Sequence, residues 1–295
     1  MAKDNLIDGK AIAEQIHSET KSRVDALKAK GVQPGLVFIR LGEDPASKVY
    51  VGMKEKKSAE LGISSTTTVL DEATTQAELL KLIGDLNADE KVHGILVQAP
   101  LPKHISEAVV FETVSPKKDV DGFHPENVGK LMLGDDTGFK PCTPAGVHEL
   151  LIRSHVETSG AQVVVLGRGN IVGKPMTAIL CQKADHANAT VTLCHSRTKD
   201  IADHCRQADI IVAAMGVAEF VKADMVKDGA VIMDVGVNRI EDATKKRGYR
   251  LVGDVDFAAL QSKAGLITPN PGGVGPMTIA MLMQNTVRAA EMATA

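Results

Sequence analysis

The chain has 295 residues, a nearly balanced formal charge of −3, 44% hydrophobic residues and no tryptophan. Balanced charge leaves no electrostatic footprint for nucleic acid or an anionic membrane surface, and no run of about 18 apolar residues is present to span a bilayer. The length suits two ordinary domains, each able to bury a core. The start, Met1-Ala2-Lys3-Asp4-Asn5, is polar with no apolar stretch of signal-peptide type behind it. Cys142, Cys181, Cys194 and Cys205 fall at no metal-like or disulfide-framework spacing, so reduced thiols in a cytoplasmic protein are expected.

Residues 9–30 place Ile12, Ile16, Val24 and Leu27 among charges, an amphipathic helix stopped by Gly31. A strand follows over 35–40. Asp44-Pro45 then supplies an N-cap and a first-turn proline for a helix running to about Leu61, with Gly62 as its stop. Tyr50 and Lys54 lie four residues apart on this helix and so share a face. Both can simply snorkel over the surface. Alternatively, the ring stacks on a flat substrate and the amine moves protons, which near neutral pH requires a lowered pKa. Lys56 and Lys57 point elsewhere and read as solvated. A strand over 66–70, a Thr-capped helix over 74–87 and, over 92–102, a strand running into a proline-punctuated turn complete a first α/β unit, with Gln98 at the carboxyl end of that last strand. In the loop 117–124, Asp119 and Asp121 flank Val120. They supply too few oxygens for Mg or Ca, but one carboxylate can accept two hydrogen bonds from an amidine-like edge such as that of a 2-aminopterin.

In the second half, Val163-Val164-Val165-Leu166 runs into Gly167-Arg168-Gly169-Asn170-Ile171-Val172-Gly173 and a helix from about 175 to 183. A buried strand, a glycine turn and a helix N-terminus suit a pyrophosphate, although the G-x-G-x-x-x-G spacing is one residue longer than the usual fingerprint. Strands over 189–194, 209–214 and 229–235 alternate with helical stretches, so a parallel doubly wound sheet is expected. After the second of these four strands an NAD-binding unit places an acid. Here the residues are His195-Ser196-Arg197-Thr198, a hydroxyl and a guanidinium suited to a 2′-phosphate, which favours NADP over NAD. A charged turn over 241–250, a short helix after Gly253-Asp254-Val255-Asp256 and a final helix from about Met277 follow. That last helix is expected to return to the first domain, giving two connections and a cleft between the domains, with residues near 123–138 supplying the outgoing connection.

Five stretches stand in one order along nearly the whole chain: Tyr50-Val51-Gly52-Met53-Lys54, Gly94-Ile95-Leu96-Val97-Gln98-Ala99-Pro100-Leu101-Pro102, Lys118-Asp119-Val120-Asp121-Gly122-Phe123, Gly167-Arg168-Gly169-Asn170-Ile171-Val172-Gly173-Lys174-Pro175 and Pro271-Gly272-Gly273-Val274-Gly275-Pro276. In these the chain resembles the bifunctional methylenetetrahydrofolate dehydrogenase/methenyltetrahydrofolate cyclohydrolase family. The resemblance implies two three-layer α/β domains. Residues 1–140, completed by a helix over 275–295, would form a folate-binding catalytic domain, and residues 141–274 a Rossmann-like NADP-binding domain. It implies oxidation of methylenetetrahydrofolate with NADP, then hydrolysis of the methenyl product to 10-formyltetrahydrofolate, in a cytoplasmic homodimer serving purine biosynthesis. Lys54 would transfer the proton of the hydrolytic step, Gln98 would orient the amine, Tyr50 would pack on the folate and Asp121 would hold the pterin edge. Pro271, Gly272 and Gly273 would border the folate, the glycines allowing close backbone approach. Gly167, Arg168, Gly169, Ile171, Gly173, Ser196, Arg197 and Val237 would contact the cofactor.

One position departs from the family pattern. Gly169 stands where serine is common, removing a hydroxyl that could bind a cofactor phosphate and leaving that load to Arg168, Ser196 and Arg197. Two other functions are compatible with parts of the pattern. A shikimate-type NADP-dependent dehydrogenase shares the two-domain plan but does not require the Asp121 loop and Pro271 turn together. A non-catalytic NADP-binding sensor has no use for Lys54 and Gln98. A zinc deaminase is disfavoured, because Pro141-Cys142 lacks the second cysteine and the His-x-Glu partner.

Overall fold

The structure, a computed structural model, describes residues 5–245 and 248–294. In chain order it forms α1 (Gly9–Ala29), β1 (Gly35–Leu41), α2 (Pro45–Leu61), β2 (Ser64–Leu70), α3 (Gln76–Ala88), β3 (Gly94–Val97), α4 (Glu107–Thr113) and α5 (Pro125–Leu133). Then come α6 (Cys142–Arg153), β4 (Gln162–Leu166), α7 (Gly173–Leu180), β5 (Thr190–Cys194), α8 (Ile201–Gln207), β6 (Ile210–Ala213) and β7 (Val231–Asp234). The chain ends with β8 (Asn238–Glu241), β9 (Tyr249–Val252), α9 (Phe257–Leu260), β10 (Leu266–Ile267) and α10 (Val274–Ala293).

Two compact units result: Glu14–Cys142 with Ile279–Ala295, and Met1–Ala13 with Thr143–Thr278. The backbone therefore passes between units at three places, within α1, at the start of α6 and within α10, where two connections were expected. Residues near the amino terminus go with the second unit because they extend its sheet. Ile7 N–H donates to Ile267 O and Ile267 N–H to Asn5 O, both at 2.9 Å. Residues 123–138, expected to supply the outgoing connection, lie wholly in the first unit, and the chain crosses between Cys142 and Thr143.

The first unit is built on a three-stranded parallel sheet of order β2-β1-β3. Every residue of β1 is buried, as a central strand covered on both faces requires. On one face Val37, Ile39 and Leu41 pack with Leu79 and Ile83 of α3 and Val110 of α4. Leu36 and Phe38, which alternate with them, are buried on the other. Full burial of a side chain such as Phe38 contributes roughly 1.5–3 kcal/mol. Over 92–102 the strand, β3, ends at Val97 and gives way to the expected turn, where Pro100 and Pro102 have no N–H to donate to a ladder. Helix ends follow the local chemistry. Asp44 accepts from Ser47 N–H at 2.7 Å to open α2, and Gly62 closes it with φ of 79°.

The second unit carries five parallel strands in the order β10-β7-β6-β4-β5. Strand β4 lies between β5 and β6, so the chain winds away from it in both directions and the carboxyl end of β4 is the switch point where such sheets bind ligands. Val164, Leu166, Ile211, Ala213, Ile232 and Ile267 belong to one buried cluster beneath that edge. Strands β8 and β9 pair antiparallel, and the charged turn expected over 241–250 falls where the chain passes from one to the other; Lys246 and Arg247 lie outside the described residues. Among the described residues no helix is long and apolar enough to cross a membrane.

Candidate active site

In the first unit α2, the end of β3 and the loop before α5 bring together Lys54, Gln98 and Asp121. The buried residues of α2 are Ser47, Val51, Lys54, Ser58 and Leu61, a helical stripe with a lysine at its centre. Lys54 is only 7% exposed. Its Nζ donates to Gln98 Oε1 at 3.0 Å. Gln98 is itself fixed, its Nε2 donating to Ala99 O at 2.6 Å and its N–H to Ile39 O at 2.8 Å. Burial holds the Lys54 amine below the usual lysine range, and the charges of Asp121 and Cys142 oppose that shift. Burial likewise raises the Asp121 carboxyl above its ordinary value, against the pull of Lys54. Tyr50, one turn before Lys54, is 42% exposed and presents its ring at the surface. Lys56 is exposed as expected, whereas Lys57 is partly buried and pairs with Glu14 at 3.2 Å and Glu60 at 2.8 Å.

The two carboxylates around Val120 have different surroundings. Asp119 is buried and accepts from the N–H groups of Gly122, Phe123 and His124 and from Asn127 Nδ2, at 3.1, 3.2, 2.7 and 2.8 Å. Its lone pairs serve the loop. Asn285 of α10 braces the same segment, its Nδ2 donating to Val120 O at 2.8 Å and Lys140 O at 3.2 Å. Asp121 is left facing Lys54 and Cys142.

In the second unit the glycine turn follows β4. Gly167 has φ of 109°, and a Cβ there would meet Ala214 O at 2.1 Å. A Cβ on Gly173 would meet Gly167 O at 1.9 Å. Both positions therefore require glycine, and the turn packs directly under α7. At Gly169 a Cβ would meet nothing within 4 Å. The first turn of α7 has no side-chain cap: Val172 occupies the N-cap position, and its apolar side chain has no acceptor for the N–H groups. Arg168, Gly169 and Ile171 are exposed beside it, and Ser196 and Arg197 are exposed after β5. The 195–198 turn is closed locally, His195 N–H donating to Thr198 Oγ1 at 2.9 Å and Arg197 N–H to His195 Nδ1 at 3.1 Å. An uncapped helix start, an open backbone turn and two arginines fit a phosphorylated dinucleotide. Val237 is exposed in the loop after β7. Pro271, Gly272 and Gly273 also belong to this unit. Gly272 has φ of 109°, and a Cβ on Gly273 would meet Pro269 O at 2.6 Å, so both glycines already serve their own turn.

Two further acids, read in the sequence only as parts of a strand end and a helix start, organise this edge. Asp254 is fully buried and Asp234 is 4% exposed. Asp234 closes the apolar strand β7, and its Oδ1 accepts from Gly236 N–H at 3.0 Å and Asp254 N–H at 2.9 Å. Burial, together with the neighbouring Asp254 charge and against these hydrogen bonds, raises its carboxyl to about 7. An acid closing a hydrophobic run, with a Gly-Asp pair some twenty residues later, is the sequence signal that marks them.

The fold and these sites define a two-unit α/β protein of the dinucleotide-binding dehydrogenase class. A family model described as tetrahydrofolate dehydrogenase/cyclohydrolase, catalytic domain, matches residues 7–121, and one described as the NAD(P)-binding domain of the same proteins matches residues 141–294. The chain belongs to the tetrahydrofolate dehydrogenase/cyclohydrolase family. It is 55% identical over 285 residues to the bifunctional protein FolD of Chlorobium chlorochromatii, covering 96% of this chain and 97% of that one. Among solved structures, the bifunctional enzyme FolD of Campylobacter jejuni has a TM-score of 0.92 at 48% identity, covering 97% of this chain and 98% of its own. The Trypanosoma brucei dehydrogenase-cyclohydrolase, complexed with NADP cofactor and inhibitor, has a TM-score of 0.93 at 40% identity, covering 100% and 99%. These likenesses favour the folate enzyme over the shikimate-type dehydrogenase and the sensor.

Proposed function

We propose that this chain oxidises 5,10-methylenetetrahydrofolate with NADP and hydrolyses the methenyl product to 10-formyltetrahydrofolate. The observation that carries the proposal is Lys54, buried in a helix stripe and bonded to Gln98 beside Asp121. A buried amine with a lowered pKa has no place in an ordinary core and suits proton transfer. Gly167, Arg168, Gly169, Ile171, Gly173, Ser196, Arg197 and Val237 hold NADP. When bound, NADP supplies the hydride acceptor for the first step.

The carbon that loses hydride is flanked by nitrogens that stabilise the resulting cation, so the first step asks the protein chiefly for position. Tyr50 gives the folate a ring to pack on and Asp121 accepts hydrogen bonds from the pterin edge. A neutral Lys54 spares the cation a repulsive neighbour. In the second step Nζ takes a proton from the water that adds to the cationic carbon. A proton returns to the ring nitrogen as its bond to that carbon breaks, with one proton released overall. Gln98 holds the amine in line for both transfers.

By family resemblance the enzyme is a cytoplasmic homodimer whose product serves purine biosynthesis. Four free thiols support a reducing compartment, and sedimentation of the purified chain tests the dimer. The deciding experiment supplies methylenetetrahydrofolate and NADP and follows methenyl formation and its decay. Failure to form the methenyl species overturns the dehydrogenase, and failure of the supplied methenyl compound to decay faster than in buffer overturns the hydrolase.

A further inference from the structure

Asp254 ties three segments together at the carboxyl edge of the five-stranded sheet. Its Oδ2 accepts from Met215 N–H at 2.6 Å and Gly216 N–H at 2.9 Å, and its Oδ1 from Val217 N–H at 3.0 Å and Asn238 Nδ2 at 2.8 Å. Three of these donors are successive backbone amides of the loop after β6; the fourth stands at the start of β8, one residue past Val237. The backbone N–H of Asp254 donates to Asp234 at the end of β7. Four donors on one fully buried carboxylate is full occupancy of an ionised acid's acceptor sites.

The surrounding backbone is shaped to admit it. A Cβ on Gly236 would lie 2.2 Å from Asp254 Oδ1, and one on Gly253 would lie 1.6 Å from Asp234 Oδ2. Gly216 takes φ of 69°, which lets the loop curl round the carboxylate. Outside this buried knot, Val217 and Val237 are 48% and 54% exposed, two apolar side chains presented at the sheet edge where a nucleotide binds.

We infer that Asp254 is a positioning residue for the cofactor: its carboxylate fixes the loops that present Val217 and Val237 to the nucleotide, without touching the nucleotide itself. The inference rests on the reading that NADP occupies this edge. Loops held by buried charge-assisted hydrogen bonds are pre-organised, so binding does not have to order them. In Asp254→Asn the amide nitrogen is a donor facing donors, so at most half of the knot survives.

The test measures NADP affinity by calorimetry and amide exchange of the cofactor-free protein. Wild type is expected to protect the amides of Met215, Gly216 and Val217. Asp254→Asn is expected to lose that protection and to bind NADP at least about tenfold more weakly, while hydrolysing methenyltetrahydrofolate within twofold of wild type. Should that variant fail to fold, Asn238→Ala removes a single donor and leaves the carboxylate; it is expected to bind NADP about three- to fivefold more weakly. Unchanged NADP affinity in the folded Asp254 variant, or in Asn238→Ala where only that one folds, overturns the inference. A wild-type protein that binds no NADP overturns instead the reading on which it rests.

Discussion

Lys54 Nζ and Gln98 Oε1 meet at 3.0 Å inside the first unit, with the amide turned by its own bond to Ala99 O. The glutamine therefore offers an acceptor to the amine without adding a charge. A carboxylate in its place would hold Lys54 protonated, whereas a neutral acceptor leaves burial to lower its pKa. Removing the amine should remove the hydrolytic step.

Lys54→Met is accordingly expected to keep the fold and to lower methenyltetrahydrofolate hydrolysis by about 10²–10⁴, the usual contribution of a positioned acid–base group. The wild-type rate should rise with pH through a Lys54 pKa below the ordinary lysine value, because in the proposed mechanism the neutral amine accepts the proton. A stopped-flow pH profile of both proteins checks this. A folded variant with the wild-type rate removes Lys54 from the mechanism.

In the proposed reaction Asp121 has the complementary task. Asp119 satisfies the backbone of its own loop, which leaves Asp121 as the acid available to a ligand. Losing its charge weakens a paired acceptor by roughly 1.5–3 kcal/mol. Asp121→Asn should therefore bind folate about ten- to a hundredfold more weakly and NADP as before. Calorimetry with each ligand separates the two, and unchanged folate affinity would show that this carboxylate too serves the loop.

Much of this was legible in the sequence because it depends on local rules. Asp44-Pro45 and Gly62 bound α2, and apolar runs ending in glycine mark β4 and its turn. The burial of Lys54 was not legible in the same way. Its stripe reads Ser47, Val51, Lys54, Ser58 and Leu61, and polar residues at buried positions hide the helix's inner face from any apolar periodicity. Nor does sequence distinguish Asp119 from Asp121, since their division of labour depends on which one the 122–124 backbone curls around. Asp234 and Asp254 lie twenty residues apart, and only the sheet brings them together. The association of residues 5–13 with the second unit likewise arises from pairing with Ile267, over 250 residues away.

Asp234 gives a stability prediction with a definite sign. Burial raises its folded-state carboxyl to about 7, above the ordinary carboxylate value of 3.8. The folded protein thus binds this proton more tightly than the unfolded chain. The resulting stabilisation is complete below the unfolded value and is lost as pH rises through about 7, amounting to roughly 4 kcal/mol. Asp234→Asn retains an acceptor for Gly236 and Asp254 but cannot titrate. Urea unfolding of both proteins at pH 5 and pH 8 should show wild type losing stability relative to the variant as pH rises. Parallel behaviour would place the titration elsewhere.

In the proposed reading, cofactor choice turns on the end of β5. Ser196 and Arg197 stand there, exposed, where an acid would select the unphosphorylated ribose, and Arg168 is exposed on the neighbouring turn. The local bonds of the 195–198 turn use backbone and the His195 ring, so they set the position of Arg197 without engaging its guanidinium. Gly169 removes a hydroxyl but adds no group that favours NAD, and the open space beyond its Cα has room for a serine side chain. Two substitutions therefore pull in opposite directions. Arg197→Ala should weaken NADP binding roughly five- to thirtyfold with little change for NAD, as loss of one charge-assisted phosphate contact implies. Gly169→Ser should strengthen NADP binding by a smaller factor. The wild-type preference should also shrink as salt rises, because exposed charges are screened within about 10 Å at 0.1 M ionic strength. Titration of each protein with both cofactors at two salt concentrations measures all three effects. Equal losses for NADP and NAD in Arg197→Ala would mean that the arginine acts on something common to both, and the specificity would then lie away from this strand end.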